Sequence, residues 1–190
     1  MPEKKEIRRF RTPAEFRKWL TANHLKSAGI WVCFAKKGAA EKSINHAEAL
    51  DQALCFGWID GQALKHDETS WLQKFTRRRP RSLWSKINAG HVERLIKAGQ
   101  MTATGHAEIE AAKKDGRWSA AYDSPSKATI PKDFLKALAR DEKAKAFFDT
   151  LNKTNRYSIA WRLQTARKLE TRQRRMEMIL AMLSRGEAFH

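Results

Sequence analysis

Between Gly57 and Asn88 the chain sets three tryptophans, Trp58, Trp71 and Trp84, around four arginines interrupted once by proline: Arg77, Arg78, Arg79 and Arg81. Guanidinium forks bind phosphate and carboxylate through paired hydrogen bonds, and aromatic faces stack on planar or cationic groups. This is the chemistry of anion capture. Ser85 and Asn88 stand at the entry to the next helical stretch, where backbone N–H groups add further donors. From Leu72 to Lys97 the basic residues Lys74, Arg77, Arg78, Arg79, Arg81, Lys86, Arg94 and Lys97 face one acid, Glu93. The candidate anion- or partner-binding set is therefore Trp58, Asp60, Trp71, Arg77, Arg78, Arg79, Arg81, Trp84, Ser85 and Asn88. The tryptophans flank the change from strand to helix pattern and are expected to frame one cleft, with Arg77, Arg79 and Arg81 above Trp84.

A second chemistry rests on Asp60, with His66 and Asp67 nearby in sequence. A carboxylate beside a histidine can transfer protons. Asp60-Gly61 is equally a turn dipeptide, which needs no chemistry. No histidine pair has metal-ligand spacing, and no phosphate-binding glycine loop or nucleophile elbow occurs, so neither metal nor cofactor is expected. Cys33 and Cys55 lie in apolar runs, IWVCFA and ALCFGW, and read as small core residues of a reducing compartment.

A chain of 190 residues with net charge +17 and a pI near 10.2 points to anionic partners, nucleic acid among them. Hydrophobic residues make up 42%, enough for a core. No stretch approaches the roughly 20 apolar residues of a membrane span. The opening MPEKKEIRRF lacks the apolar centre of a secretory signal, so a cytoplasmic location is expected.

The elements that must position these residues follow from periodicity and caps. Glu6–Phe10 reads as a first strand or ordered arm. Thr12-Pro13-Ala14-Glu15 starts a helix with Phe16, Trp19 and Leu20 on one face. Residues 29–35 read as a buried strand, and Asn45 with Glu48 caps a helix whose inner face is Leu50, Ala53 and Leu54. A hairpin at Asp60-Gly61, or a longer strand through 57–64 turning at 65–69, leads to a strand over 70–76. Beyond the arginines the pattern turns helical: Val92, Leu95 and Ile96; then 105–114; then helices opened by Pro131 and Asp141; then 157–166; then Met176, Ile179, Leu180 and Leu183, ending at Gly186. The fold class is α+β. A small three- to four-stranded sheet with flanking helices over 1–116 is followed by a polar linker, 117–129, and an all-α unit, 130–190. The last helix carries Lys168, Arg172 and Arg175. It either lies on anionic lipid or DNA, or docks its Met/Leu stripe and leaves the arginines in water, and docking is the favoured reading.

With both halves placed, the sequence resembles the bacterial YdeI/OmpD-associated family, also described as bacteriocin-protection or OmdA-like. The resemblance rests on EALDQALCFGWIDGQ (48–62), FTRRRPRSLWSKIN (75–88), VERLIKAGQMTATG (92–105), DGRWSAAY (115–122), IPKDFLKAL (130–138) and the tail from NRYSIAWRLQ to EMILAML (155–183). The family pattern has Thr-Pro-Arg where this chain has Thr76-Arg77-Arg78. The resemblance implies a link to antimicrobial tolerance and the cell envelope, and no catalytic residues. The expected function is binding of an anionic partner through the basic-aromatic loop. The alternative is an enzyme on a small phosphorylated or carboxylated substrate, with Asp60 as acid–base group and the arginines as clamp.

Overall fold

A computed structural model describes residues 6–190. Residues 1–5, which open the first predicted unit, lie outside the described residues. Two compact units form. One takes the chain up to Leu83 together with Asn88–Ser119, and the other takes Trp84–Ile87 with Ala120–His190.

The first unit is built on a mixed four-stranded sheet. Its strands are β1 (Ile7–Arg8), β2 (Ile30–Ala35), β3 (Trp58–Lys65) and β4 (Ser70–Arg77), in the order β1-β2-β4-β3. Only β1 and β2 run parallel. Helix α1 (Pro13–Asn23) opens as the sequence predicts. Thr12 accepts from Glu15 N–H at 3.2 Å, and Glu15 reaches back to Arg11 N–H at 2.7 Å. Helix α2 (His46–Cys55) has the full reciprocal capping box of Asn45 and Glu48. Phe16, Trp19, Leu20, Ile30, Phe34, Leu54, Trp58 and Phe75 are buried; Phe16 stacks on Trp19, and the other ring pairs meet edge-on or tilted.

Of the two hairpins the sequence allows, the longer one forms. β3 runs through Asp60-Gly61 without turning, and its pairing with β4 shifts register between Asp60 and Ala63. The Asp-Gly dipeptide marks a β-bulge, whose Gly61 carbonyl accepts from Gln73 Nε2 at 2.7 Å. The reversal lies at 66–69. There Asp67 accepts from Thr69 N–H, the Thr69 hydroxyl and the Ser70 hydroxyl at 2.6–3.0 Å, which holds its carboxyl far below the usual carboxylate range.

Helices α3 (Lys86–Lys97) and α4 (Ala103–Lys114) complete this unit, except that the first residues of α3 belong to the second one. Asp51 of α2 ties α3 down by accepting from Arg94 at 2.6 Å and contacting His91 Nδ1 at 2.8 Å. The start of α4 sits on the end of α2. The Thr102 N–H and hydroxyl both donate to the Cys55 carbonyl, at 3.1 and 2.7 Å. A Cβ on Gly105 would lie 2.3 Å from that same oxygen. Both cysteines are buried and unbridged, and burial pushes the Cys55 thiol up.

The second unit holds α5 (Lys132–Leu138), α6 (Glu142–Thr150), α7 (Lys153–Gln164) and α8 (Leu169–Ser184) around Phe134, Leu138, Phe148, Ile159, Leu163, Ile179 and Leu183. α7 starts earlier than periodicity indicates because Asn152 caps it, accepting from Asn155 N–H at 2.9 Å. Trp84–Ile87 joins this unit through a bridge to Tyr122. Tyr122 N–H donates to the Trp84 carbonyl, and Lys86 N–H donates to the Tyr122 carbonyl, both at 2.9 Å. α8 docks its apolar stripe and leaves Arg174 exposed, but two of its arginines have partners. Arg172 pairs with Asp133, and Arg175 donates to the Arg162 carbonyl at 2.7 Å. No described helix is long and apolar enough to cross a membrane.

Two glycines in helices separate packing from propensity. Alanine in place of glycine favours a helix by about 1 kcal/mol, while a methyl forced into packed backbone costs about 1–3 kcal/mol or more. Gly90 of α3 is exposed, with nothing within 4 Å of an added Cβ. Gly90→Ala should therefore raise the denaturation midpoint and Gly105→Ala should lower it, as chemical unfolding followed by circular dichroism will show. In the second unit, Lys86 and Gln164 hold the Asp123 carboxyl below its ordinary 3.8, and Arg172 does the same to Asp133. Their contribution is fully present above that value and fades as pH falls through the lowered ones. The unfolding free energy should drop from pH 5 to pH 2 by a few tenths of a kcal/mol per exposed pair, read as a lower denaturation midpoint, and D123N should flatten that dependence.

Candidate functional site

The arginine run leaves β4 as a turn under backbone strain. Ser82 N–H donates to the Arg79 carbonyl at 3.0 Å, with Pro80 and Arg81 between them. Arg81 has φ +68, the one non-glycine residue at positive φ among the described residues. Proline followed by a left-handed residue is the type II arrangement, and the second position ordinarily takes glycine. An arginine there costs about 1 kcal/mol or more. The Ser82 hydroxyl closes the turn from the other side by accepting from Arg79 N–H at 3.1 Å.

Two buried guanidiniums support this turn. Arg78 is 5% exposed and donates to the Leu83 carbonyl at 3.2 Å, while its N–H donates to the Gly57 carbonyl at 3.0 Å. Arg117, 4% exposed, donates to the Ser82 carbonyl at 3.0 Å and is bound by Asp115 at 2.7 and 2.9 Å. A buried guanidinium is tolerable only when hydrogen-bonded or paired, and these two use carbonyls at the base of the loop. The sequence treats all four arginines of the run as one set. The structure divides them: Arg78 is buried, and Arg77, Arg79 and Arg81 are exposed.

Beside the turn lies a cavity of about 640 Å³. One wall is Arg77, Pro80 and Arg81. α4 lines it as well, presenting Thr104, Ala107, Glu108 and Ala111 at i, i+3, i+4 and i+7. His24, Leu25, Phe56 and Gly57 fill the space between, and Arg78, Asp115 and Arg117 complete the lining. Gly57 has φ +71 where the chain reverses from α2 into β3. A Cβ there would lie 2.9 Å from Glu108 Cγ and 3.2 Å from the Thr104 carbonyl. The bare Cα thus lets α4 and the stem of Glu108 close on the turn. His24 Nδ1 contacts the Leu20 carbonyl at 2.9 Å, so that nitrogen carries the proton.

The remaining predicted site residues lie elsewhere. Trp58 is fully buried, and its indole donates to the His24 carbonyl at 3.2 Å. Trp71 stacks on Phe34 with ring centroids 4.8 Å apart. Trp58 pairs with Arg77, six residues along β4 from Trp71, roughly 20 Å at strand spacing. Trp84 is buried in the second unit, which also holds Ser85. The single tryptophan cleft is not formed: Trp58 and Trp84 serve as core, and half-buried Trp71 stacks on Phe34 at the far end of β4. Asn88 lies in α3 and does not line the cavity, nor does Arg79. Asp60 is not in the cavity either. Its partner is His46 rather than His66, at 3.1 Å, packed against Phe34, Trp71 and Phe75. Sequence distance hid that pair, and it hid Glu108 and Arg117. Among the described residues no three His, Cys, Asp or Glu side chains gather as metal ligands would.

Two family models divide the chain along similar lines. Residues 8–108 match a domain of unknown function (DUF8412), and residues 127–186 match the bacteriocin-protection, YdeI or OmpD-associated family. The chain belongs to the DUF8412 family and ends in a YdeI/OmpD-associated segment. The arginine turn and most of the cavity thus fall in the DUF8412 part, while the YdeI/OmpD-associated match is confined to the helical tail. No curated protein and no solved structure matches the chain.

Strain at Arg81 is testable without a ligand. Arg81→Gly removes the left-handed penalty and should stabilise the first unit by about 1 kcal/mol, read as a higher unfolding midpoint. Arg79→Gly, at a residue without positive φ, should bring no gain.

Proposed function

We propose that the DUF8412 part binds a small anionic molecule in the cavity beside the arginine turn. The observation that carries this reading is the concave lining itself. Arg77 and Arg81 stand over apolar surface from Leu25, Phe56, Pro80 and the alanines of α4. Small-molecule sites typically have volumes of roughly 300–1,000 Å³ and combine apolar walls with a few convergent polar groups. Among the described residues, neither Arg77 nor Arg81 forms an ion pair within 4.0 Å, so both forks remain available to an anion. The strained backbone at Arg81 supports the same reading, since such strain concentrates at ligand clamps. A concavity of this size fits a metabolite headgroup better than a duplex, whose phosphates call for a broad basic track. The wider role we assign is antimicrobial or envelope-stress tolerance, supported by the description of the family matched by residues 127–186.

Calorimetric titration of the full chain with pyrophosphate, citrate and a 20-base-pair DNA duplex, each at two salt concentrations, tests this. The small anions should bind saturably. A charged hydrogen bond contributes about 1.5–3 kcal/mol, so the R77A/R81A double variant should lose binding roughly a hundredfold while its unfolding curve stays near wild type. Tight duplex binding with a steep salt slope, and none to either small anion, would replace this reading with a nucleic-acid one.

A further inference from the structure

The cavity is lined by charge of both signs. Arg77 and Arg81 lie on the turn and Glu108 on α4, and among the described residues none of the three forms an ion pair within 4.0 Å. The other acid of the lining, Asp115, is already bound by Arg117 at 2.7 Å. Glu108 is therefore the acid of the cavity without a cationic partner. It is also held in place: its Cγ lies where a Cβ on Gly57 would come within 2.9 Å, so its stem rests on bare backbone. Ala107 and Ala111 beside it leave the carboxylate room.

From this placement we infer that the ligand is a zwitterion: an anionic phosphate or carboxylate head against Arg77 and Arg81, and an ammonium group against Glu108. The inference rests on the anion-binding reading of the same cavity. A ligand with negative charge alone gains from the guanidiniums but is repelled by Glu108 and leaves that carboxylate partly desolvated and unpaired. A ligand with both charges satisfies both walls, and its dipole lies along the field between them. The short apolar body joining the two charges meets Leu25, Phe56 and Pro80.

Matched probe pairs test this on the full chain: O-phosphoethanolamine against ethyl phosphate, and phenylalanine against 3-phenylpropionate. Within the pair whose head suits the turn, the ammonium-bearing member should bind roughly tenfold tighter, the size of one charge-assisted hydrogen bond. E108Q should erase that preference and leave the ammonium-free member bound as well as before or better. R77A/R81A should abolish binding of both members. Equal affinity within each pair on the wild type overturns the zwitterion inference while anion binding stands. A preference that survives E108Q, in a variant with a wild-type unfolding curve, overturns the assignment of Glu108. No binding of any of the four probes overturns the zwitterion inference. The pyrophosphate and citrate titrations then decide separately whether anion binding falls with it.

Discussion

The carbonyl oxygen of Cys55 is the point on which the cavity wall turns. It ends α2 and accepts from both the N–H and the hydroxyl of Thr102. It lies so close to Gly105 that no side chain fits between them. A helix C-terminus leaves carbonyls without intrahelical partners, and here one of them becomes the anchor of the next helix. Two residues later Gly57 turns the chain with φ +71 and brings bare backbone under Glu108. The same residue's carbonyl accepts from Arg78 N–H. Four elements therefore meet within three residues, 55–57: the end of α2, the start of β3, the start of α4 and the base of the arginine turn. The arginine turn and α4, which line the cavity, are both referenced to this stretch of backbone.

The arginines divide their work by depth. Arg78 and Arg117 are buried and spend hydrogen bonds on the carbonyls of Leu83 and Ser82, which frame the turn. Arg117 also has Asp115 to offset its charge. Replacing either would remove a charge-assisted hydrogen bond that holds the turn. Arg77 and Arg81 contribute little to the fold in this way, and Arg81 works against it through its left-handed backbone. A basic run that looks uniform in sequence is thus one buried strut of the turn, Arg78, two exposed side chains that line a cavity, Arg77 and Arg81, and one exposed side chain outside it, Arg79. The strut arrangement fixes the turn so rigidly that a non-glycine residue can occupy its strained position.

Local signals were the legible ones. Thr12 with Glu15, and Asn45 with Glu48, mark helix starts because a cap is chemistry between residues three apart. The apolar stripe of α8 and the stop at Gly186 follow from period and turn preference, and both are present. The mixed four-stranded sheet and the helical tail make the α+β class. What escaped was set by tertiary contact. Asp60-Gly61 has the composition of a hairpin turn, yet the 66–69 reversal, locked by Asp67, claims that role and leaves the dipeptide as a bulge. His46 stands fourteen residues before Asp60, and only the packing of α2 on the sheet brings them to 3.1 Å. Tryptophans near arginines read as a binding surface, but a large apolar ring gains most from full burial, and Trp58 and Trp84 went to the core. Of the predicted site, Arg77, Arg78 and Arg81 meet at one cavity, and the part of its lining that α4 supplies was invisible because Thr104, Ala107, Glu108 and Ala111 carry no aromatic or basic signature.

In the zwitterion reading, Glu108 on α4 decides what kind of anion the cavity suits. A protein with net charge +17 attracts every polyanion at long range, and this attraction is indifferent to shape. Selectivity has to come from something that penalises the wrong anion. On the arginine side nothing does so, since guanidiniums accept phosphate and carboxylate alike. In the zwitterion reading Glu108 supplies the penalty: a carboxylate in the same lining as the two guanidiniums repels a ligand that brings only negative charge, and the screening that weakens repulsion between exposed charges in salt is reduced inside a concavity. Long polyanions drawn to the basic surface thus gain nothing from the cavity, and a small ligand that also carries a cation gains from both walls. In that reading the excess positive charge raises the local concentration of anions, and Glu108, the acid of the lining that Arg117 does not bind, sorts among them.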